Sequence, residues 1–229
     1  MSPAGGEYED WKHIDFQPPI ADLVPLVVTA QLDAGQLPAD GTALDVGCNR
    51  GGVSLFLAQH GLHVLGVDLN GAAIDEGNRR AAEAGLSSRV NFRVADILKE
   101  PLSALFDVVL LIRILTCFPA ASDWQAVLKR AGALVGPHGY LYVHDFLLSP
   151  DSGNYRARYA AGAHMGWRPG NFAVNDADGA LSFIAHHHSE EEVAAITAPW
   201  QRVDFSIHQS LSINGNSCRM FEFLGRKPG

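Results

Sequence analysis

Three acidic side chains in the first half of the chain stand at the ends of short apolar segments. Asp45 lies near the end of the first segment, and Asp68 and Asp96 directly follow the next two. If these segments are neighbouring parallel strands, their carboxyl ends meet at one edge of the sheet, which is where such sheets bind ligands. Carboxylates accept hydrogen bonds from hydroxyl and amino groups and attract cations. The three acids therefore predict a binding site for a polar or cationic small molecule.

A glycine-rich turn directly follows Asp45 and narrows the choice of ligand. Gly47, Asn49 and Gly52 fill the G-x-G-x-x-G pattern of a dinucleotide site with one mismatch. Asp45, Gly47, Asn49 and Gly51 fill the acid-G-x-G-x-G pattern of an S-adenosylmethionine site, also with one mismatch. Because a glycine pattern alone is weak evidence, the turn predicts a nucleotide-type cofactor without identifying it.

The charge of Asp45 separates the two cofactors. A dinucleotide places its pyrophosphate on the turn and the helix N-terminus, where a carboxylate two residues before the first glycine would repel it. S-adenosylmethionine has no phosphate, and its sulfonium and ammonium groups are attracted by a carboxylate. Asp68 can accept hydrogen bonds from ribose hydroxyls, and Asp96 can accept one from the exocyclic amine of adenine. Each acid alone is equally compatible with a helix cap or turn, but the set favours S-adenosylmethionine.

Five segments carry a resemblance to a known family. LDVGCNRGGVSLFLA, VLGVDLNGAAI, VNFRVADIL, FDVVLLIRIL and GYLYVHDF resemble the successive motifs of class I S-adenosylmethionine-dependent methyltransferases, over about residues 40 to 146. The resemblance implies that Asp45 and Gly47 line the methionine moiety, that Asp68 binds ribose, and that Asp96 with Ile97 binds adenine. It also places Leu111 and Ile112 near the cofactor. The remaining cofactor-binding candidates are Cys48, Asn49, Gly51 and Leu69. Asn49 replaces the middle glycine of the pattern and tolerates its left-handed conformation.

The elements that must position these residues alternate between strand and helix. The pattern predicts strands at 42–46, 62–67, 90–95, 106–112 and 140–144, and helices at 20–36, 53–60, 71–84 and 122–135. A capping-box pattern at Ser189 opens a further helix, and Asn214-Gly215-Asn216 joins two last strands at 202–213 and 217–224. This order predicts an α/β fold with a Rossmann-like, doubly wound, seven-stranded, mostly parallel sheet and an antiparallel C-terminal hairpin.

The chain is expected to form a single methyltransferase domain over residues 1–229. Residues 1–38 are expected to form an arm and a helix, and 40–146 the cofactor-binding core. Residues 149–188, which lack a strong hydrophobic period up to 185, are expected to form a lid that determines acceptor specificity. Residues 189–229 then form the last helix and the hairpin.

Composition limits the partners. The formal charge is −8, which argues against a nucleic-acid substrate, and no apolar run is long enough to span a bilayer. Three widely separated cysteines, without metal spacing, indicate reduced thiols in a cytoplasmic protein. Residues His186, His187 and His188 alternate sides on an extended segment, so we predict no metal site. The oligomeric state stays open.

Methyl transfer mainly needs alignment of donor and acceptor, with a base where the acceptor carries a proton. His144 and Asp145, at the end of the fifth strand, are candidate catalytic groups, unless they only end the strand. His187 is a third candidate. Arginines among aromatic residues fit a flat, anionic acceptor, although a lid helix with a solvated basic face explains them equally well. The predicted acceptor-binding residues are Tyr8, Trp11, Arg113, Tyr155, Arg158, Trp167 and His186.

These residues predict S-adenosylmethionine-dependent methyl transfer to a hydroxyl or amine of a small molecule. An RNA-end or protein methyltransferase is the nearest alternative, and an electropositive surface beside the methyl site would favour it. A NAD-type oxidoreductase would have to tolerate Asp45 beside a pyrophosphate. A non-catalytic S-adenosylmethionine-binding module would lack an acceptor pocket.

Overall fold

The computed structural model describes residues 26–176, 178–212 and 215–229. Tyr8 and Trp11, with the rest of the predicted arm, lie outside the described residues. The predicted helix at 20–36 is described from Leu26 onward, and it ends at Asp33.

Nine strands form two sheets in the described part of the chain. They are β1 Thr42–Val46, β2 His63–Asp68, β3 Val90–Val94, β4 Phe106–Ile112, β5 Val135–Leu147, β6 Asn171–Asn175, β7 Leu181–His186, β8 Gln201–Leu211 and β9 Ser217–Arg226. The larger sheet has the order β3-β2-β1-β4-β5-β9-β8, in which β1 to β5 are parallel and β9 is antiparallel to both of its neighbours. The predicted sheet and its C-terminal hairpin are confirmed.

Helices cover both faces of the larger sheet. They are α1 Leu26–Asp33, α2 Gly52–Gln59, α3 Gly71–Glu83, α4 Ala121–Leu134, α5 Gly153–His164 and α6 Glu190–Thr197. Side chains of α1, α2 and α3 pack with one face of the strands, and those of α4 and α6 pack with the other. None of the described helices is long and apolar enough to cross a membrane.

The central strands β1 and β4 are buried on both faces, as their mainly apolar sequences predict. β1 lies between β2 and β4, and Asp45 is opposite Gly66 on one side and Leu110 on the other. Asp68 ends β2, and Asp96 follows β3 by two residues. The three acids therefore lie at the carboxyl edge of three adjacent strands.

The segment without a strong period contains regular structure that the sequence did not predict. It forms α5 and the two-stranded antiparallel sheet of β6 and β7. These elements bury Tyr155, Phe172 and Phe183 against Phe146 and Met220 of the larger sheet. Only two residues of α5 and two of β6 are buried, so the hydrophobic pattern of these elements was too weak to identify them from sequence.

The capping box at the start of α6 is confirmed. Ser189 Oγ accepts from the backbone N–H of Glu192 at 3.2 Å, and Glu192 accepts in return from the N–H of Ser189 at 2.8 Å. These two bonds fix the direction in which the chain leaves β7 and enters α6.

Gly51 and Gly85 offer a matched test of the packing behind the turn. Both have positive φ, of 74° and 69°, but a Cβ on Gly51 would lie 2.0 Å from Phe92 Cζ, whereas a Cβ on Gly85 would meet nothing within 4 Å. We expect Gly85→Ala to cost roughly 1 to 2 kcal/mol through backbone strain, and Gly51→Ala to cost about 1 to 3 kcal/mol more through overpacking. Urea unfolding followed by circular dichroism measures both. Equal costs would contradict the close packing of Phe92 on the turn.

Candidate active site

The turn between β1 and α2 is built from residues with left-handed backbone. Gly47, Asn49 and Gly51 have φ of 71°, 47° and 74°. A Cβ on Gly47 would lie 2.6 Å from Ile114 Cδ1, so this position also requires glycine for space. Asn49 keeps the conformation that the family's middle glycine would adopt, as the sequence predicted.

Asp68 connects the turn to the end of β2. One carboxylate oxygen accepts from the backbone N–H of Asn49 at 2.8 Å, and the other accepts from the N–H of Asn70 at 2.9 Å. Burial raises the pKa of Asp68, and these hydrogen bonds oppose that shift. Each oxygen retains a lone pair, so the carboxylate can still accept from a ligand hydroxyl.

Asp45 is almost completely buried, and its carboxylate accepts a hydrogen bond from Ser54 Oγ at 2.6 Å. Burial raises the pKa of Asp45 to about 6; the hydrogen bond from Ser54 lowers the pKa, and the charge of Asp68 raises it. The buried carboxylate of Asp45 and the partly buried carboxylate of Asp68 stabilise a cation placed beside them.

One cavity collects most of the predicted cofactor-binding residues. Its lining includes Asp45, Gly47, Cys48, Asn49, Asp68, Leu69, Asp96, Ile97 and Ile112. Two predicted residues are not in it. Leu111 is fully buried in the core, on the opposite side of β4 from Ile112, and Gly51 packs against the ring of Phe92, while Gly52 lines the cavity instead.

The same cavity continues toward the smaller sheet. Three of the predicted acceptor-binding residues, Arg113, Tyr155 and Arg158, line this half together with His187. Several other residues that line this half were not predicted from the sequence, because they come together only when the smaller sheet packs on β5. The missed lining residues include Phe146, Phe172, Val174, Phe183 and Ala185.

Arg113 and Arg158 bring two positive charges to aromatic walls. The guanidinium of Arg113 lies 5.4 Å from the ring centre of Phe146, and that of Arg158 lies 4.3 Å from the ring centre of Phe172. Arg158 also donates to the carbonyl of Ala173 at 2.6 Å. Neither arginine forms an ion pair with a carboxylate in the described residues, and Arg113 Nε is buried without a hydrogen-bond partner. Both side chains are therefore available to an anion in the cavity.

His187 lies deep in the acceptor half of the cavity. Its ring stacks on Phe146, with centroids 4.8 Å apart and an angle of 3° between the planes. Nδ1 lies 2.7 Å from the hydroxyl of Tyr159, whose oxygen also accepts from the backbone N–H of Ser149 at 3.2 Å. When Nδ1 carries the ring proton, the Tyr159 oxygen accepts from it, and Nε2 has a free lone pair.

Comparison with known proteins identifies the family. A family model described as a methyltransferase domain matches residues 43–139. The crystal structure of a SAM-dependent methyltransferase from Methanosarcina mazei is similar to this chain with a TM-score of 0.77 and 27% sequence identity, covering 86% of this chain and 96% of that one. Residues 43–139 therefore form a methyltransferase domain, and the fold around them is that of the class I S-adenosylmethionine-dependent methyltransferases.

Curated relatives of this methyltransferase match only in part. A ubiquinone biosynthesis O-methyltransferase from Pseudomonas paraeruginosa is 30% identical over 132 residues, which cover 58% of this chain and 55% of that protein. A probable chloroplastic tocopherol O-methyltransferase from rice is 41% identical over 70 residues, which cover 30% of this chain and 19% of that protein. The chain thus spans about half or less of the length of these relatives.

The donor set of the methyltransferase fits S-adenosyl-L-methionine, which is its cofactor. Asp45 supplies the negative charge that a sulfonium and an ammonium group require, and Asp68 the acceptors for two ribose hydroxyls. Gly47 and Asn49 of the turn line the cavity beside these acids. Neither carboxylate suits a pyrophosphate.

Two predicted catalytic residues of the methyltransferase, His144 and Asp145, do not line the cavity. The ring of His144 stacks on His208 of β8, with centroids 5.4 Å apart, and burial lowers its pKa to about 3. Asp145 accepts from the backbone N–H groups of Leu115, Thr116 and Phe146, so it holds the short 3-10 turn at Leu115–Cys117. The cavity begins at Phe146, further along β5, so the structure places His144 and Asp145 outside it, where each contacts other parts of the fold.

Trp167 and His186, which were predicted to bind the acceptor, also lie outside the cavity. Trp167 packs on Gly162 at the C-terminal end of α5 and borders a second pocket, on the other side of Arg158. His186 is fully buried and contacts Asn171 and Glu192, because neighbours on an extended segment alternate sides and His187 takes the cavity side.

The raised pKa of Asp45 predicts a pH dependence of cofactor binding. A bound cation favours the ionised carboxylate, so below about pH 6 binding must displace a proton and the affinity for S-adenosylmethionine should fall, by up to about tenfold per pH unit. Asp68, whose pKa is also raised, acts in the same direction. Calorimetry across this range measures the slope, and Asp45→Asn should reduce it. An affinity for S-adenosylmethionine that stays constant through pH 6 would contradict a role for Asp45 in charge recognition.

Proposed function

We propose that this methyltransferase transfers the methyl group of S-adenosylmethionine to a hydroxyl or amine of a small, flat, anionic molecule. The observation that carries the proposal is one continuous cavity. Its first half is lined by the acids of the strand ends, and its second half by two arginines and aromatic rings. A cationic donor and an anionic acceptor each find the opposite charge there, and they meet between the two halves.

Methyl transfer from sulfur is an in-line displacement. The acceptor atom forms a bond to the methyl carbon as the bond from carbon to sulfur breaks, leaving a neutral thioether and releasing the acceptor proton. The protein's main contribution is to hold the two reactants aligned and away from water. Phe146, Phe172 and Tyr155 provide flat walls for the acceptor, and Arg113 and Arg158 fix its charged end.

Two further observations support a small molecule with an oxygen acceptor. The two curated relatives described above are named as O-methyltransferases, one of ubiquinone biosynthesis and one, a probable enzyme, of tocopherol; a sterol 4-C-methyltransferase from Caenorhabditis elegans is 27% identical over 160 residues. The formal charge of −8 is unfavourable for binding RNA. Cys48, Cys117 and Cys218 are free and buried, which agrees with the cytoplasmic location predicted from sequence.

We assign the role of general base to His187. It is the histidine of the consecutive three that lines the cavity, and Tyr159 orients its ring through Nδ1. Nε2 makes no hydrogen bond within the described residues, so it can take the acceptor proton as the methyl group arrives.

The charge of the acceptor is testable with pairs of molecules that differ in charge alone. In a panel of hydroxyarenes and aminoarenes, each supplied as a carboxylate and as the neutral carboxamide, kcat/KM should be about tenfold or more higher for the carboxylates. Mass spectrometry with labelled S-adenosylmethionine detects the product. Arg158→Gln should remove most of the preference, whereas Arg156→Gln, an exposed arginine of the same helix, should retain it. Equal turnover of both forms would contradict an anionic acceptor.

His187→Ala and His144→Ala separate the two histidines that sequence analysis proposed as bases. With the best acceptor of the panel, His187→Ala should lower the methylation rate by roughly 10²- to 10⁴-fold, while calorimetry finds its affinity for S-adenosylmethionine unchanged. His144→Ala should keep the rate, because its ring faces β8. Similar rates for the His187 variant and the wild type would exclude His187 as the base.

A further inference from the structure

His186, His188 and Glu192 converge behind the smaller sheet, outside the cavity. His186 ends β7, His188 follows on the same side of the extended segment, and Glu192 lies in the first turn of α6. One ligand atom from each lies within 4.8 Å of the others. Nε2 of His186 is 3.1 Å and Nδ1 of His188 is 3.9 Å from Oε2 of Glu192. Both imidazoles are completely buried, and Glu192 is only slightly exposed.

Asn171 determines that the His186 nitrogen facing Glu192 is the one that carries the lone pair. The Asn171 amide nitrogen donates to the carbonyl of Pro119 at 3.1 Å, so its oxygen is the atom 2.7 Å from His186 Nδ1. Nδ1 must therefore donate. In the neutral ring Nε2 then carries a lone pair and points at a carboxylate oxygen, an arrangement that a shared cation stabilises.

His188 provides an independent observation. Both of its ring nitrogens are buried and have no hydrogen-bond partner. Its ring is enclosed by the edges or faces of Trp124, Phe221 and His186, at centroid distances of 5.5, 6.3 and 4.7 Å. A buried imidazole with no partner, within reach of a carboxylate and a second imidazole, has the features of a metal ligand rather than of a packed core residue.

Arg168 is the cation that contacts this cluster in the structure. It forms an ion pair with Oε1 of Glu192, and its Nη1 lies 3.3 Å from His186 Nε2. Because Arg168 contacts Oε1 whereas both histidines face Oε2, a metal ion would displace the contact between Arg168 and His186. It would share Oε2 with the backbone N–H of Ser189, which uses a different lone pair. The Arg168 side chain is 30% exposed, so it has room to move toward solvent.

We infer that His186, His188 and Glu192 form a site for a divalent transition metal ion of the zinc type. Two imidazoles and one carboxylate are ligands that Zn²⁺ and Co²⁺ accept, and three protein ligands leave a fourth position for water. Burial keeps both rings neutral, as metal binding requires. The inference does not depend on the proposed methyl acceptor.

Such a metal ion would link the end of β7, through His186, to the first turn of α6, through Glu192. His187 lies between the two histidine ligands and faces the cavity. The site would thereby hold the segment that carries the proposed base.

A cobalt titration of the full-length, chelator-treated protein tests the site. Co²⁺ should bind one ion per chain, with the visible absorption bands of a four-coordinate ion, and Zn²⁺ should displace it. His188→Ala and Glu192→Gln should abolish these bands, and Asn171→Ala should weaken binding by about 10- to 100-fold. Arg168→Gln should strengthen binding, because it removes a competing cation.

His164→Ala is the matched control, since His164 is exposed on α5 in the same part of the fold. It should bind cobalt as the wild type does, and circular dichroism checks that each variant folds. Glu192→Gln retains an oxygen for the cap of α6, so it keeps the test valid if His188→Ala does not fold. No bound cobalt in the wild type, or undiminished binding by folded Glu192→Gln, would overturn the inference.

Discussion

The hydrogen bond from the backbone N–H of Asn49 to Asp68 holds the cofactor half of the site together. Over 2.8 Å it joins the turn after β1 to the end of β2. The turn presents this N–H because Asn49 and the glycines around it adopt positive φ. The bond orders the turn and the acid before the cofactor arrives, so less conformational entropy is lost on binding. It also keeps Asp68 near Asp45, whose pKa rises partly through that proximity.

The cofactor half of the site was predictable because its signals are local in the sequence. Each acid follows an apolar strand, and parallel strands bring their carboxyl ends to one edge. The charge of Asp45 chose the cofactor where the glycine pattern did not. Asn49 was the departure from the family pattern, and its φ of 47° shows that asparagine reproduces the backbone of the missing glycine.

The acceptor half was not predictable to the same extent, because its residues meet only through tertiary packing. Phe146 faces the cavity, whereas His144 and Asp145 just before it do not, and the sequence alone does not show where along β5 the cavity begins. Strict alternation along the extended segment correctly separates His187 from His186 and His188. The same alternation places the two outer histidines on one side, and their approach to Glu192 depends on how α6 packs, which the sequence pattern did not reveal.

Charge is the basis of recognition: carboxylates at three strand ends, of which Asp45 is buried, select a phosphate-free, cationic adenosine cofactor. Titration calorimetry of the full-length protein with S-adenosylmethionine and, separately, with NAD⁺ tests this most directly. S-adenosylmethionine should bind with one molecule per chain and NAD⁺ should give no binding heat, because its pyrophosphate would face Asp45 and Asp68. Binding of NAD⁺ as tight as that of S-adenosylmethionine would contradict recognition by charge.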